Sequence, residues 1–423
     1  MASRGPAAAG FLNLLQDILD LESFSIVKPL ICKTLVMLSH ASGLYPRCFP
    51  IPGLHKIGQH VDGGGFADIW KGLVRGGQSV SVKIMRIFRE DEVAAVLKEF
   101  GREALIWRQL CHPNLLPFFG LYRIENRLCL VSPWMENGNI MRYLSKQIPN
   151  IVRRVSLILD VARGLQYLHE KNVVHGDLKA INILVTPSGR ACICDFGLAS
   201  IVNEITLRLH STTKAQGGTA RYYAPELFQG NSKKNFASDI FAFACVCTEI
   251  LSGEVPFHES PNDMAVMHKI LHGERPTRPP SCSGTTQLDT LWELLQNCWR
   301  DEADKRPTAA QIVARLVAPS IGAMTTSSST DWDEQFTCKF RRSSQDRPLL
   351  PSVNQIERII FGDVLAQVCQ ECFPDRESSK LREIKAGTAN LKRRYNEREG
   401  TSDSEQGTSQ AEAKRFRVLT LSD

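Results

Sequence analysis

The sequence predicts an α+β protein in which a strand-rich part precedes a mainly helical one, the join lying near residue 138. Three observations carry this. Between residues 51 and 137 short β-branched runs such as Val80-Ser81-Val82-Lys83 alternate with glycine clusters, the pattern of strands and turns. Beyond residue 138 apolar residues recur at helical spacing. Within that part, residues 238–246 (SDIFAFACV) are apolar nearly all round, the sign of a central buried helix.

Taken in order, residues 1–50 contain two apolar stripes at helical spacing. One covers 11–21 (Phe11, Leu14, Leu15, Ile18) and the other 28–38, and both predict helices that pack on the following domain. Gly43, Pro46, Pro50 and Pro52 break helicity and mark a connector. A compact domain occupies 51–319, divided at the join into 51–137 and 138–319. Residues 320–423 turn polar and rich in Ser and Thr, which predicts a largely disordered tail with one helix near 353–373.

Hydrophobic residues make up 43% of the 423 and charged ones 23%, which supports a packed core and excludes wholesale disorder or a fibre. The net charge of +6 is too mild to argue for direct nucleic-acid binding. The longest apolar run, 240–247, is far short of the roughly 20 residues of a membrane span. Asn13, Gln16, Asp17 and Asp20 interrupt the N-terminal stripe, unlike a secretory signal. Thirteen scattered cysteines fit reduced thiols, so a cytoplasmic protein is expected; Cys369 and Cys372 form a C-x-x-C pair without a second pair beside it. The clusters Lys392-Arg393-Arg394 and Lys414-Arg415-Phe416-Arg417 are spaced loosely like a bipartite import signal, which leaves the nucleus as a second location.

The chemistry begins at residues 61–72, VDGGGFADIWKG, where Gly63, Gly64 and Gly65 can bring backbone amides close to a phosphate. Downstream, Lys83 lies in a strand-like run on the face opposite to Val80 and Val82 and needs an anionic partner. Glu103 borders the apolar stripe of a helix predicted over 92–110 and is the candidate for that ion pair. Then follow His175-Gly176-Asp177-Leu178-Lys179-Ala180-Ile181-Asn182, Asp195-Phe196-Gly197 and Ala224-Pro225-Glu226.

These motifs, in this order, resemble the signature set of the protein kinases over residues 51–319, within the tyrosine-kinase-like group and more loosely like the expanded kinases of mushroom-forming fungi. The resemblance implies a two-lobed kinase fold: a small lobe of antiparallel sheet plus one helix, and a mainly helical large lobe. It implies ATP and Mg²⁺ as cofactors, with Gly63, Gly64, Gly65, Phe66, Val80, Lys83, Pro133, Met135, Asn182 and Asp195 around the nucleotide and Asn182 and Asp195 holding the metal. Asp177 would orient the acceptor hydroxyl, Lys179 would steady the γ-phosphate, and Lys83 with Glu103 would complete the catalytic set. Ser132 falls at the gatekeeper, behind the adenine. Asp239 would brace the catalytic loop, and Arg306 would pair with Glu226.

The chain departs from the family pattern at Asp62 and Ala67, in place of two glycines of the loop, and at Gly176, where an arginine is usual. The missing arginine makes activity less dependent on phosphorylation at Thr206, Ser211, Thr212 or Thr213. Lys179 with Gly218-Thr219 implies serine or threonine acceptors on protein substrates. The alternative is a pseudokinase scaffold acting through partners. In either case the N-terminal helices and the tail are surfaces for protein partners.

Overall fold

The computed structural model describes residues 6–19, 28–42, 44, 46, 54–63, 67–74, 77–85, 107–124, 127–148, 150–195, 200–201, 219–229, 233–323, 325, 329–333 and 336. Gly64, Gly65, Phe66, Glu103, the hydroxyls from Thr206 to Thr213, the Cys369/Cys372 pair, both basic clusters and the helix expected near 353–373 lie outside these residues.

Two N-terminal helices, α1 (Pro6–Leu19) and α2 (Lys28–Ser42), pack on each other, and Leu12, Leu14 and Leu35 are buried. Helix α1 starts earlier than its apolar stripe because Pro6 and three alanines suit a first helical turn. Helix α2 runs on to Ser42, whose Oγ donates to Leu38 O at 2.7 Å.

The small lobe is a five-stranded antiparallel sheet of β1 (His55–Gly63), β2 (Ala67–Leu73), β3 (Ser79–Met85), β4 (Gly120–Ile124) and β5 (Arg127–Pro133), ordered β1-β2-β3-β5-β4. Period-two alternation divides its faces. Val80, Val82 and Ile84 of β3 pack with Cys129 and Val131 of β5 and with Phe119 into a small-lobe core. Ser81 and Lys83 stand on the opposite face, paired with Ser132 and Leu130 across the ladder.

After the connector at 134–139 come α3 (Ile140–Leu144) and the long α4 (Ile151–Glu170), whose N-cap Asn150 accepts from Arg153 N. The short pieces β6 (Val173–Val174), β7 (Ile183–Val185), β8 (Ala191–Ile193) and β9 (Ser200–Ile201) form two two-stranded sheets, β6 with β9 and β7 with β8. Helix α5 (Phe236–Ser252) is the buried axis that the composition of 238–246 predicts, with every residue from Ser238 to Leu251 buried. Around it lie α6 (Asp263–Leu271), α7 (Thr286–Cys298), α8 (Ala309–Val317) and the short α9 (Pro319–Gly322). This is the two-lobed α+β architecture expected from the sequence. Among the described residues no helix is long and apolar enough to cross a membrane.

The polar stretch after α9 differs from its expectation. Trp332 is buried and Phe336 packs against the cores of both lobes, so part of the stretch belongs to the folded domain. The apolar area of two rings outweighs the polar residues around them.

Candidate active site

The site is built where β3, the loop after β6 and the end of β8 converge. Lys83 projects from the β3 face that also carries Ser81, and its Nζ lies 2.7 Å from Asp195 Oδ1. Asp195 adopts φ +64°, a left-handed conformation that Asp tolerates better than bulkier residues. The Lys83 ammonium holds the Asp195 carboxyl at about 2, below the usual carboxylate range, against an opposing effect of burial. The Asp195 carboxylate is therefore ionised throughout the neutral range.

The catalytic-loop residues form a second cluster. Lys179 Nζ lies 2.8 Å from Asp177 Oδ2, and Asn182 Nδ2 donates to Asp177 O at 2.9 Å. The two clusters are stitched by backbone: Cys194 N donates to Asn182 O at 2.9 Å, and His175 Nε2 lies 3.1 Å from Cys194 O. His175 Nδ1 accepts from Asp177 N at 3.2 Å, so a single tautomer with its hydrogen on Nε2 satisfies both ring contacts.

Asp239 supports this loop from the first turn of α5, where Asn235 and Ser238 form a capping box. Its carboxylate accepts from His175 N and Gly176 N, each at 2.8 Å, and lies 3.1 Å from His169 Nε2. The helix N-terminus favours the negative charge. Gly176 sits at φ +77°, where a side chain is strained, so a glycine suits the position that carries arginine in many kinases.

Below, Arg306 NH1 and NH2 donate to Glu226 Oε1 and Oε2 at 2.7 and 2.8 Å, the bidentate pair expected from the sequence. The remaining guanidinium bonds go to the carbonyls of Arg300, Ala237 and Asp301. Arg306→Lys keeps the charge but not the fork, and is expected to cost about 3 kcal/mol in urea unfolding; a loss under about 1 kcal/mol, the scale of an exposed ion pair, would refute the role. Elsewhere in the large lobe the Tyr222 hydroxyl donates to Glu249 Oε2 at 2.5 Å, and burial pushes the Glu249 carboxyl up to about 7.

At the hinge, Pro133 ends β5 and Met135 is buried, its carbonyl accepting from Gly138 N at 3.0 Å with one lone pair left over. Lys71 Nζ bridges to Glu136 Oε1 at 2.5 Å across the hinge, a contact that sequence spacing gave no reason to expect. That hydrogen bond holds the Glu136 carboxyl below the usual range.

Of the residues singled out in the sequence, the structure brings together Lys83, Asp195, Asn182, Asp177 and Lys179. Gly63 ends β1 opposite Asp68, while Asp62 pairs with Ile69 and Ala67 opens β2. Val80 does not join the group. It is wholly buried in the small-lobe core, on the sheet face away from Lys83, whereas Ser81 shares the face of Lys83 and stands opposite Ser132. The spacing i, i+2 from Lys83 is the signal that points to Ser81.

Comparison with known proteins agrees with this geometry. Residues 55–316 match the family model described as protein tyrosine and serine/threonine kinase. The chain is similar to the serine/threonine-protein kinase STY46 of Arabidopsis thaliana, 29% identical over 274 residues, which are 63% of this chain and 45% of that protein. It is 31% identical to STY17 of the same plant over 263 residues, 62% of this chain and 44% of the relative. It is also 29% identical to the serine/threonine/tyrosine-protein kinase HT1, over 62% of this chain and 65% of that one. The chain thus spans less than two thirds of the length of each of these relatives. With the motif order, the two-lobed fold and the family match all in agreement, the chain belongs to the protein tyrosine and serine/threonine kinases, in their tyrosine-kinase-like group.

Proposed function

We propose that the protein is an active, ATP- and Mg²⁺-dependent kinase that transfers the γ-phosphate to serine and threonine hydroxyls of protein substrates. The observation that supports this most is the 2.7 Å pair of Lys83 with Asp195, hydrogen-bonded through Cys194 to the loop that holds Asp177, Lys179 and Asn182. A degenerate domain has no reason to keep five such groups in one place.

The donor set fits the metal. Mg²⁺ prefers hard oxygen, and Asp195 offers an ionised carboxylate while Asn182, donating its N–H to Asp177, turns its carbonyl oxygen the other way. When bound, the ion neutralises charge on the phosphate oxygens. Lys83 holds Asp195 in place and carries a positive charge toward the nucleotide. Lys179 places a second ammonium next to Asp177 for the transferred group. Asp177 receives Lys179 and Asn182 on Oδ2, which leaves Oδ1 to accept a hydrogen bond from the substrate hydroxyl. Such positioning and electrostatics are most of what phosphoryl transfer requires.

The names of the relatives include serine/threonine and dual-specificity kinases, and Lys179 favours the former. Labelled phosphate from ATP is expected on serine and threonine peptides and not on tyrosine peptides, and chelation of Mg²⁺ is expected to stop it. Transfer to tyrosine alone would overturn the acceptor assignment. Nucleotide binding without any transfer would overturn the enzyme reading in favour of a scaffold.

A further inference from the structure

We infer that residues 329–333 and Phe336 form a strap that positions strand β8, and through it Asp195, from behind the cleft. The strap lies beyond residue 316, where the family match stops, so this is a feature of the chain outside the common kinase core. The functional consequence rests on the proposed role of Asp195; the strap itself is read from geometry.

The strap touches the turn of the β7–β8 hairpin and the segment 111–112, which leads into the turn hydrogen-bonded to β8. At the turn, Ser188 N donates to Asp331 Oδ1 at 3.1 Å, and the Ser188 hydroxyl contacts Asp331 Oδ2 and, at 3.1 Å, Ser329 O. Two residues on, the Arg190 guanidinium is held by Asp160, whose carboxylate also accepts from Ala191 N at 3.0 Å. At the segment 111–112 the buried Trp332 donates from Nε1 to His112 O at 3.1 Å, and the Cys111 thiol lies 3.7 Å from Asp333 O. Phe336 completes the contact, its ring 6.0 Å from Phe119 and 6.2 Å from Trp332.

The carbonyl of His112 connects strap to site. It also accepts from Leu115 N at 3.0 Å, so the indole takes its second lone pair and fixes the turn 112–115. That turn runs directly into β8: Leu116 N donates to Ile193 O at 2.8 Å, Ile193 N donates to Asn114 O at 2.9 Å, and Asn114 Nδ2 donates to Ala191 O at 2.9 Å. On its far side the turn is pressed against α4 at Gly164, where an added Cβ would come within 2.7 Å of Asn114 O. The turn is thus contacted by α4 at Asn114 and by the strap at His112. Asp195 follows Ile193 by two residues, so the freedom of this turn is passed to the metal-holding carboxylate along backbone hydrogen bonds. Trp332 and Asp331 are positioning residues in this sense.

The test is hydrogen–deuterium exchange on the full-length chain without nucleotide, comparing wild type with Trp332→Ala, Trp332→Phe and Asp331→Ala. The amides of Leu116 and Ile193 are expected to exchange about tenfold faster in Trp332→Ala, the effect of one lost buried hydrogen bond and its packing, while those of α5 stay at the wild-type rate. Trp332→Phe, which keeps a ring and drops the N–H, is expected to fall between, and turnover should decrease in the same order with little change in the KM for ATP. Unaltered exchange at Leu116 and Ile193, or an equal rise in α5, would overturn the strap, the second outcome marking general loss of stability. Inactivity of the wild type strikes at the kinase reading instead, and the exchange rates then decide the strap alone.

Discussion

Asp195→Asn is expected to lower turnover by about a thousandfold or more while the protein stays folded, the scale at which a lost electrostatic contact to transferring phosphate is felt. The substitution is nearly isosteric, so the packing of β8 and its bonds to the turn at 112–116 are kept. What disappears is the charge. Asn leaves Lys83 opposite a neutral amide, and the hard anionic oxygen proposed to hold Mg²⁺ is replaced by a weaker carbonyl. The pH dependence carries its own signature. Because the folded pKa of Asp195 is depressed to about 2, its contribution to stability is present above the unfolded value and is lost as pH falls through the folded one. The difference in stability between wild type and Asp195→Asn should thus be flat from about pH 5 to pH 8 and shrink below about pH 4. Labelled-phosphate incorporation at saturating ATP, with melting curves over that range, measures both. Retention of more than a tenth of the wild-type turnover would refute the role given to this carboxylate.

Asp239→Ala is expected to cost about 3–5 kcal/mol of stability, because it removes a buried carboxylate that accepts from two backbone N–H groups. His175 N and Gly176 N each lose a 2.8 Å acceptor, and the Asp239 side chain is only 2% exposed. The loop they belong to carries Asp177, so turnover should fall as well, by about a hundredfold. Asp239→Asn, which retains one acceptor oxygen, should fall between wild type and alanine in both respects. Urea unfolding separates the cases: a cost below about 1 kcal/mol for alanine would mean that water replaces the carboxylate and that the brace is incidental.

Much of the site is legible in the chain because its chemistry is local. Asp177, Lys179 and Asn182 fall within six consecutive residues, and their mutual contacts follow from one tight loop. The face on which Lys83 stands follows from strand alternation, and the same alternation sends Val80 into the small-lobe core and away from the nucleotide side expected for it. The Ser and Thr content around Trp332 points to a polar tail, although Trp332 and Phe336, four residues apart, are a weak sign of a packed face.

By itself the sequence determined the α+β class, the order of the kinase motifs and which acidic, basic and amide groups are candidates for the site, since these depend on residue type and short-range periodicity. Only the tertiary structure decided other meetings: Lys83 with Asp195 across 112 residues, Lys71 with Glu136 across 65, and Trp332 with His112 across 220. Periodicity tells a side chain which way to face, but its partner is chosen by the packing of whole elements, where the gain from burying matched groups exceeds the entropy of closing long loops.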